Sequence, residues 1–222
     1  MISQLEDTFK DYDFWHQDLP KYGSIATIAE EIAPGERVLD VGCSDGCLAR
    51  YLPENEVWGI DVNPQAVEKA RRVCKDAEVF DLNLIDTRPL PFGREFDVIV
   101  CADVLEHLLY PEKVLRYLAD TLRNGGRAVI SLPNIALWRV RLKLLFGLFD
   151  YTEYGVLDST HLHFYTFKTA KELVECCGFR VLKMKGSNTY RILGFFARHM
   201  PCLKRLFSVN IITVAVKFSI ST

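Results

Sequence analysis

The chain has no apolar run near the roughly 20 residues that a bilayer-spanning helix needs. Its first residues, MISQLEDTFK, carry neither the basic nor the apolar stretch of a secretory leader. Its seven cysteines, an odd number, contain no C-x-x-C pair and no zinc-finger spacing, so neither a disulfide framework nor a cysteine metal centre is expected. Several sit in apolar runs where a thiol acts as a small hydrophobe, and the expected location is a reducing cytoplasm. Net charge is also small. With 27 basic and 29 acidic residues, the balance of −2 excludes the broad basic field of unspecific nucleic-acid binding. No N/D-P-P-Y/F motif appears where nucleic-acid methylation would call for one; the chain reads Ala102-Asp103-Val104-Leu105. Internal repeats and low-complexity tracts are absent too. What remains is 222 residues, 49% of them hydrophobic, enough for one domain (1–222) with a substantial core.

Against these absences stands Val38-Leu39-Asp40-Val41-Gly42-Cys43-Ser44-Asp45-Gly46. A short β-branched run ends in an acid and a glycine turn, and a helix-like pattern follows from Leu48. This reads as a buried parallel strand feeding a turn at the carboxyl edge of a sheet, where open α/β folds bind ligands. Gly42 and Gly46 allow a ligand close to the backbone. A dinucleotide fingerprint, G-x-G-x-x-G, fits poorly, because Ser44 replaces the middle glycine and the last glycine falls one place early. Asp40 would repel a pyrophosphate, which counts against a nicotinamide oxidoreductase, and would welcome an ammonium and a sulfonium. A second strand closes at Gly59-Ile60-Asp61, 21 residues beyond Asp40, with an acid placed to accept both hydroxyls of a ribose. Standing alone, Asp61 would also read as a cap for the next helix. Together the two acids favour a nucleoside with a cationic tail.

Four blocks in order, VLDVGCSDG, GIDVNP, FDVIVCADVLEHL and LRNGGRAVISLPN, resemble the class I S-adenosylmethionine-dependent methyltransferases over roughly residues 35 to 135. The resemblance implies an α/β, Rossmann-like sheet of seven mostly parallel strands, in order 3-2-1-4-5-7-6 with strand 7 antiparallel and helices on both faces. It implies S-adenosyl-L-methionine as cofactor and S-adenosyl-L-homocysteine as product. Ser44, where the family often has glycine, is the departure. In this frame Asp40 serves the methionine end, Gly42, Ser44 and Gly46 line the turn, and Asp61 with Val62 holds the ribose. Asp81 accepts from the adenine amino group beside Leu82, with Asp86 as rival, and Cys101 and Asp103 stand at the end of strand four.

Along the chain, residues 1–34 read as N-terminal cover, with aromatics among charges and Tyr22 as the best candidate for ligand contact, just before a Gly23–Ile32 helix. Residues 35–132 form the cofactor-binding core. Strands are expected at Arg37–Val41, Val57–Ile60, Glu78–Phe80, Phe96–Cys101 and Ala128–Leu132. Asn63-Pro64 signals a helix start, with the helix running to Cys74. A helix from Pro111 to Leu122 is expected to be capped by Asn124-Gly125-Gly126. Residues 133–207 read as acceptor-site insertions with a helix from Thr169 to Cys177, capped by Thr166 or Lys168-Thr169 and closed by Gly178. Arg180–Met184 and Ile211–Lys217 complete the sheet, the latter within a final strand at 208–217.

Five histidines bear on chemistry, since transfer to a hydroxyl benefits from a base near neutral pKa. His16 and His199 have uninformative surroundings. His107, after Glu106 at the end of strand four, is either a base or acceptor-pocket residue, or a structural part of the strand-to-helix turn. Asp103-x-x-Glu106-His107, completed by His161 or His163, has the composition of a divalent-metal set, although no metal is the main expectation. Leu157-Asp158-Ser159-Thr160-His161-Leu162-His163-Phe164-Tyr165-Thr166 resembles a methyltransferase subgroup with an LD-x-TH-L-x-F-x-T loop, often linked to glycan and lipid-linked glycan synthesis. His161 matches that loop's histidine and ranks first as base or acceptor clamp, while His163 stands where a basic residue, often arginine, is expected. The resemblance implies methyl transfer, on oxygen, to a small-molecule, glycan or lipid-linked acceptor. The rival is a non-catalytic S-adenosylmethionine-binding module acting through a protein partner. Finally, Trp138–Phe146 and Ile192–Phe207 mix apolar and cationic residues, a pattern of peripheral membrane contact, of an acceptor-pocket cover or of a dimer contact.

Overall fold

The computed structural model describes residues 23–93, 95–187 and 205–218. Tyr22, His16, His199 and most of the 192–207 stretch therefore lie outside the described residues.

Sequence signals and strand pairing together set the order and direction of the strands. β1 (Arg37–Val41), β2 (Glu56–Asp61), β3 (Asp76–Val79) and β4 (Phe96–Ala102) run parallel with β5 (Leu122–Pro133). β7 (Asn210–Lys217) inserts antiparallel between β5 and β6 (Phe179–Ser187). The order is β3-β2-β1-β4-β5-β7-β6, as expected. β1 is apolar on both faces because both are covered. Leu39 and Val41 pack with Phe80, Ile99 and Leu115 on one side, and Val38 packs with Ile28, Leu48 and Val98 on the other. The polar Asp40 sits in this otherwise apolar strand, opposite Gly59 and Val100, so its presence calls for a chemical reason.

The helices are short, and their ends follow local rules. α1 (Ser24–Ala29) is followed by one further turn through Ile32, and α2 (Cys47–Tyr51) starts at a left-handed Gly46. α3 (Pro64–Ala70) begins as read: the Asn63 side chain accepts from the amides of Gln65 and Ala66, and Pro64 occupies the first position. α4 (Pro111–Ala119) ends earlier than expected. Asn124-Gly125-Gly126 does not cap it; the three residues bulge within β5, where pairing steps from Phe96–Leu122 to Val98–Arg127. The physical reason is tertiary. Thr121 offers its carbonyl to the amides of Glu95 and Phe96, which draws the chain into the sheet before the glycines. α5 (Trp138–Leu145) follows β5. α6 (Phe167–Cys176) carries a capping box in which Thr166 and Thr169 each accept from the other's amide, so Thr166 is the cap. Gly178 at φ +86° closes it.

Candidate active site

The carboxyl edge of β1, β2 and β4 gathers three features: a tight turn, the acids Asp40 and Asp61, and a histidine pair. The turn after β1 uses positive φ at Gly42 (+74°), Ser44 (+47°) and Gly46 (+82°). Gly42 and Cys43 both donate their amides to the Ile60 carbonyl, which clamps the turn onto β2. A Cβ at Gly42 would lie 2.3 Å from Val104 Cγ2, so glycine is required there for packing as well as for φ. Ser44 pays a left-handed penalty that glycine would not. Its amide donates to Asp61 Oδ2 at 2.8 Å, and that charge-assisted bond offsets the penalty.

Asp61 therefore holds the turn directly. Its other oxygen accepts from the Asn63 amide at 2.8 Å, at the start of α3. Burial raises its pKa, opposed by these amide bonds. Each carboxylate oxygen has a second lone pair, so the turn-holding role leaves room for two further donors. Val62 beside it is exposed. Asp40 is only 3% exposed. Burial first, and then the neighbouring Asp61 charge, push its pKa up to about 7. A carboxyl that expensive to ionise favours a cationic ligand, which would restore its charge.

Asp81 stands after β3 and caps a short 3-10 turn, accepting from the Asn83 amide at 2.9 Å, with buried Leu82 next to it. Its rival Asp86 is paired with Lys113 on the surface. Cys101 is fully buried in the core with Leu39 and Ile99. Asp103 takes positive φ (+55°) and is absorbed into a network. Its Oδ1 accepts from Ser131 Oγ at 2.6 Å and Asn210 Nδ2 at 2.7 Å, and Ser24 Oγ stands 3.4 Å from Oδ2. Asp103 thus ties α1, β5 and β7 together at the end of β4.

The 3-10 turn Leu105–His107 brings β4 to the loop before α6. The amides of Leu162 and His163 donate to the Glu106 carbonyl at 2.8 and 3.1 Å, which docks that loop over the strand end. His107 and His161 meet edge to face with centroids 4.8 Å apart. Asp158 Oδ1 accepts from the Thr160 hydroxyl at 2.6 Å, so that oxygen in turn accepts from His107 Nδ1 at 3.1 Å. The proton is thereby assigned to Nδ1, and Nε2 of His107 keeps its lone pair. Although one edge of His107 is exposed, desolvation of its ring under the covering loop and then the adjacent His161 lower its pKa. His161 is buried, with Nδ1 3.3 Å from the Val156 carbonyl and Nε2 4.0 Å from Glu106 Oε1. Both Glu106 oxygens are buried without a partner among the described residues, and burial together with Asp103 raises its pKa well above the usual range. His163 lies apart, tilted on Tyr165 at 6.3 Å.

Ligand atoms of Glu106, His107 and His161 fall within 4.8 Å of one another, the spacing of a divalent-cation set. Of the residues in the alternative metal reading of the sequence, Asp103 and His163 are not in this group. The part of Glu106 that the sequence does not reveal is its burial against His161. No local pattern signals it, because the covering loop lies 55 residues away in the chain.

Comparison with known proteins agrees with this fold. A family described as "Methyltransferase domain" matches residues 14–184. The chain is 31% identical over 160 residues to a ubiquinone biosynthesis O-methyltransferase of Aeromonas salmonicida, covering 68% of this chain and 66% of that one. The first curated relatives are spanned over 34% to 66% of their length. In fold the chain resembles an S-adenosylmethionine-dependent methyltransferase from Thermotoga maritima (TM-score 0.68, 15% identity, 98% of this chain and 100% of that one). It also resembles the solved complex of a Haloferax volcanii Trm112 methyltransferase activator with a methyltransferase (TM-score 0.68, 16% identity, 96% of each chain).

Proposed function

Because the chain belongs to the S-adenosylmethionine-dependent methyltransferases, we propose that it moves the methyl group to an oxygen of a small-molecule, glycan or lipid-linked acceptor, with the histidine pair at the end of β4 taking the proton. S-adenosylmethionine would lie over residues 42–46. Its ammonium would face Asp40, its ribose hydroxyls would donate to Asp61 beside Val62, and its adenine amino group would donate to Asp81 against Leu82. Cys101 and Asp103 would bound the cofactor from β4, and Tyr22 is carried as its cover from the sequence alone.

Transfer itself is an in-line displacement. The acceptor oxygen attacks the methyl carbon, the carbon–sulfur bond breaks, and sulfur keeps the electron pair as S-adenosylhomocysteine forms. The acceptor proton must leave, and an imidazole with a free Nε2 is its natural destination. His107 meets that requirement through the Asp158–Thr160–His107 relay. His161 packs edge to face against His107 and orients its ring. His163 is assigned to the acceptor's surroundings. The oxygen target is supported by the Aeromonas relative, whose name is that of an O-methyltransferase. The glycan and lipid-linked classes rest on the 157–166 loop pattern.

The observation that carries the proposal is the His107–His161 ring pair against buried Glu106 at the carboxyl end of β4, beside the glycine turn after β1. Its test is a panel of hydroxylated small molecules, oligosaccharides and lipid-linked sugars, followed by S-adenosylhomocysteine release. With the acceptor in hand, His107→Ala and His161→Ala should keep cofactor affinity near wild type and lower turnover by about 10²–10⁴-fold. Full activity in both variants would remove the histidines from the mechanism.

A further inference from the structure

Among the described residues, the large apolar side chains left exposed are not scattered. Of the sixteen, eight fall between Leu142 and Tyr154. Isolated exposed leucines need no explanation, but a contiguous set this size does. Leu145 and Phe146 are the most exposed, at 77% and 72%, followed along the chain by Leu148, Phe149 and Tyr151. On α5 the spacing places Trp138, Leu142 and Leu145 on one face, with Arg141 on one side of that stripe and Arg139 and Lys143 on the other. Residues 135–149 contain these three cations and no acid. The opposite face carries Val140, which is buried and anchors the helix to the protein.

A groove of about 490 Å³ repeats the chemistry beside the helix, lined by Leu137, Val140, Leu157 and Phe207 together with Arg139 and Lys143. The patch also reaches the histidines through a chain of rings. Phe149 meets Phe164 edge to face at 5.8 Å, and Phe164 meets His161 at 6.3 Å.

We propose that α5 and the following segment through Tyr151 seat the protein on the surface of an anionic lipid bilayer. An apolar stripe flanked by cations is the arrangement of a helix lying in the headgroup plane, with its leucines and aromatics below and its arginines and lysine at the phosphates. Charge complementarity selects this occupant, since residues 135–149 carry three cations and no acid, Asp150 being the first acid after them, while the whole chain carries −2. No described helix is long and apolar enough to cross a membrane, so the contact is peripheral. The inference does not depend on the acceptor or on which histidine is the base.

The test is flotation of the full chain with vesicles of phosphatidylcholine alone and of phosphatidylcholine with a quarter phosphatidylglycerol. Wild type should float with the anionic vesicles, remain largely free of the neutral ones, and be released by salt. Arg141→Glu with Lys143→Glu should weaken binding by more than about fivefold per site, because each lost cation near an anionic surface is worth about that factor. Leu145→Glu with Phe146→Glu should abolish it. All four positions are exposed, so thermal melting and cofactor binding should match wild type and exclude misfolding as the cause. Equal flotation of the variants would overturn the proposal, as would absence of flotation by wild type. Sedimentation showing a dimer that Leu145→Glu with Phe146→Glu dissociates, without vesicle binding, would also overturn it and assign the face to a second copy of the chain.

Discussion

Asp61→Ala separates the turn-holding duty that the structure shows for this carboxylate from the ribose-binding duty proposed for it. The first is structural. Asp61 accepts from the amides of Ser44 and Asn63, both at 2.8 Å, and alanine leaves these two donors without their acceptor. Leaving a largely buried donor unpaired costs about 1–3 kcal/mol, less whatever water can reach, and the carboxylate's own burial cost is recovered. A net loss of about 2–4 kcal/mol is expected, or a fall in Tm of roughly 5–12 °C for a chain of this size. The second duty is ligand binding, where two ribose hydroxyls donating to a carboxylate are worth about 3 kcal/mol together, about 150-fold in Kd. Affinity could also fall only because the turn loosens, so the assay must distinguish the two. Calorimetric titration of wild type and variant with S-adenosylhomocysteine and with its 2′-deoxy analogue does so. If Asp61 binds the ribose, removing the 2′-hydroxyl weakens binding to wild type by about tenfold or more and hardly matters in the variant. An equal deoxy penalty in both proteins, with the variant folded, would refute the ribose assignment and leave Asp61 as a turn clamp.

The parts of the fold that could be read from sequence are those whose signal lies within a few residues of its cause. Asn63-Pro64 starts α3 because the side chain caps amides two and three positions ahead, and Gly42 recurs as a requirement because its φ is local. The strand order followed from the four-block resemblance and was matched. Asn124-Gly125-Gly126 misled because a glycine pair signals a helix end and a strand bulge alike, and the choice was made by pairing of Leu122 with Phe96, 26 residues earlier. The same limit applies at the site. The sequence places Asp103 at the end of β4 but gives no sign of its partners Ser24, Ser131 and Asn210, up to 107 residues away. His107 gained a defined tautomer only when Thr160 arrived from a loop 53 residues downstream. Burial of a lone glutamate, and hence the meaning of Glu106, is a property of the assembled layers and has no local signature.

Three further outcomes follow from the same geometry. Gly42→Ala should lower stability by about 2–4 kcal/mol, since it forces a Cβ to 2.3 Å from Val104 Cγ2 at φ +74°; an unchanged melting curve would contradict that packing. Dialysis against a chelator should leave activity intact, and loss of turnover restored by added divalent cation would instead make Glu106, His107 and His161 a metal set. The third concerns Asp40, whose pKa of about 7 in the free protein must fall when a cation is bound beside it. Cofactor binding at pH 6 to 7 should therefore release a proton. It should also tighten with rising pH, because only the ionised carboxylate attracts the ammonium: about fivefold from pH 6 to pH 7. Titration in two buffers of different ionisation enthalpy measures the proton directly, and Asp40→Asn should abolish both the release and the pH slope. The same slope persisting in Asp40→Asn would place the titrating group elsewhere and leave the buried acid of β1 without its proposed ligand.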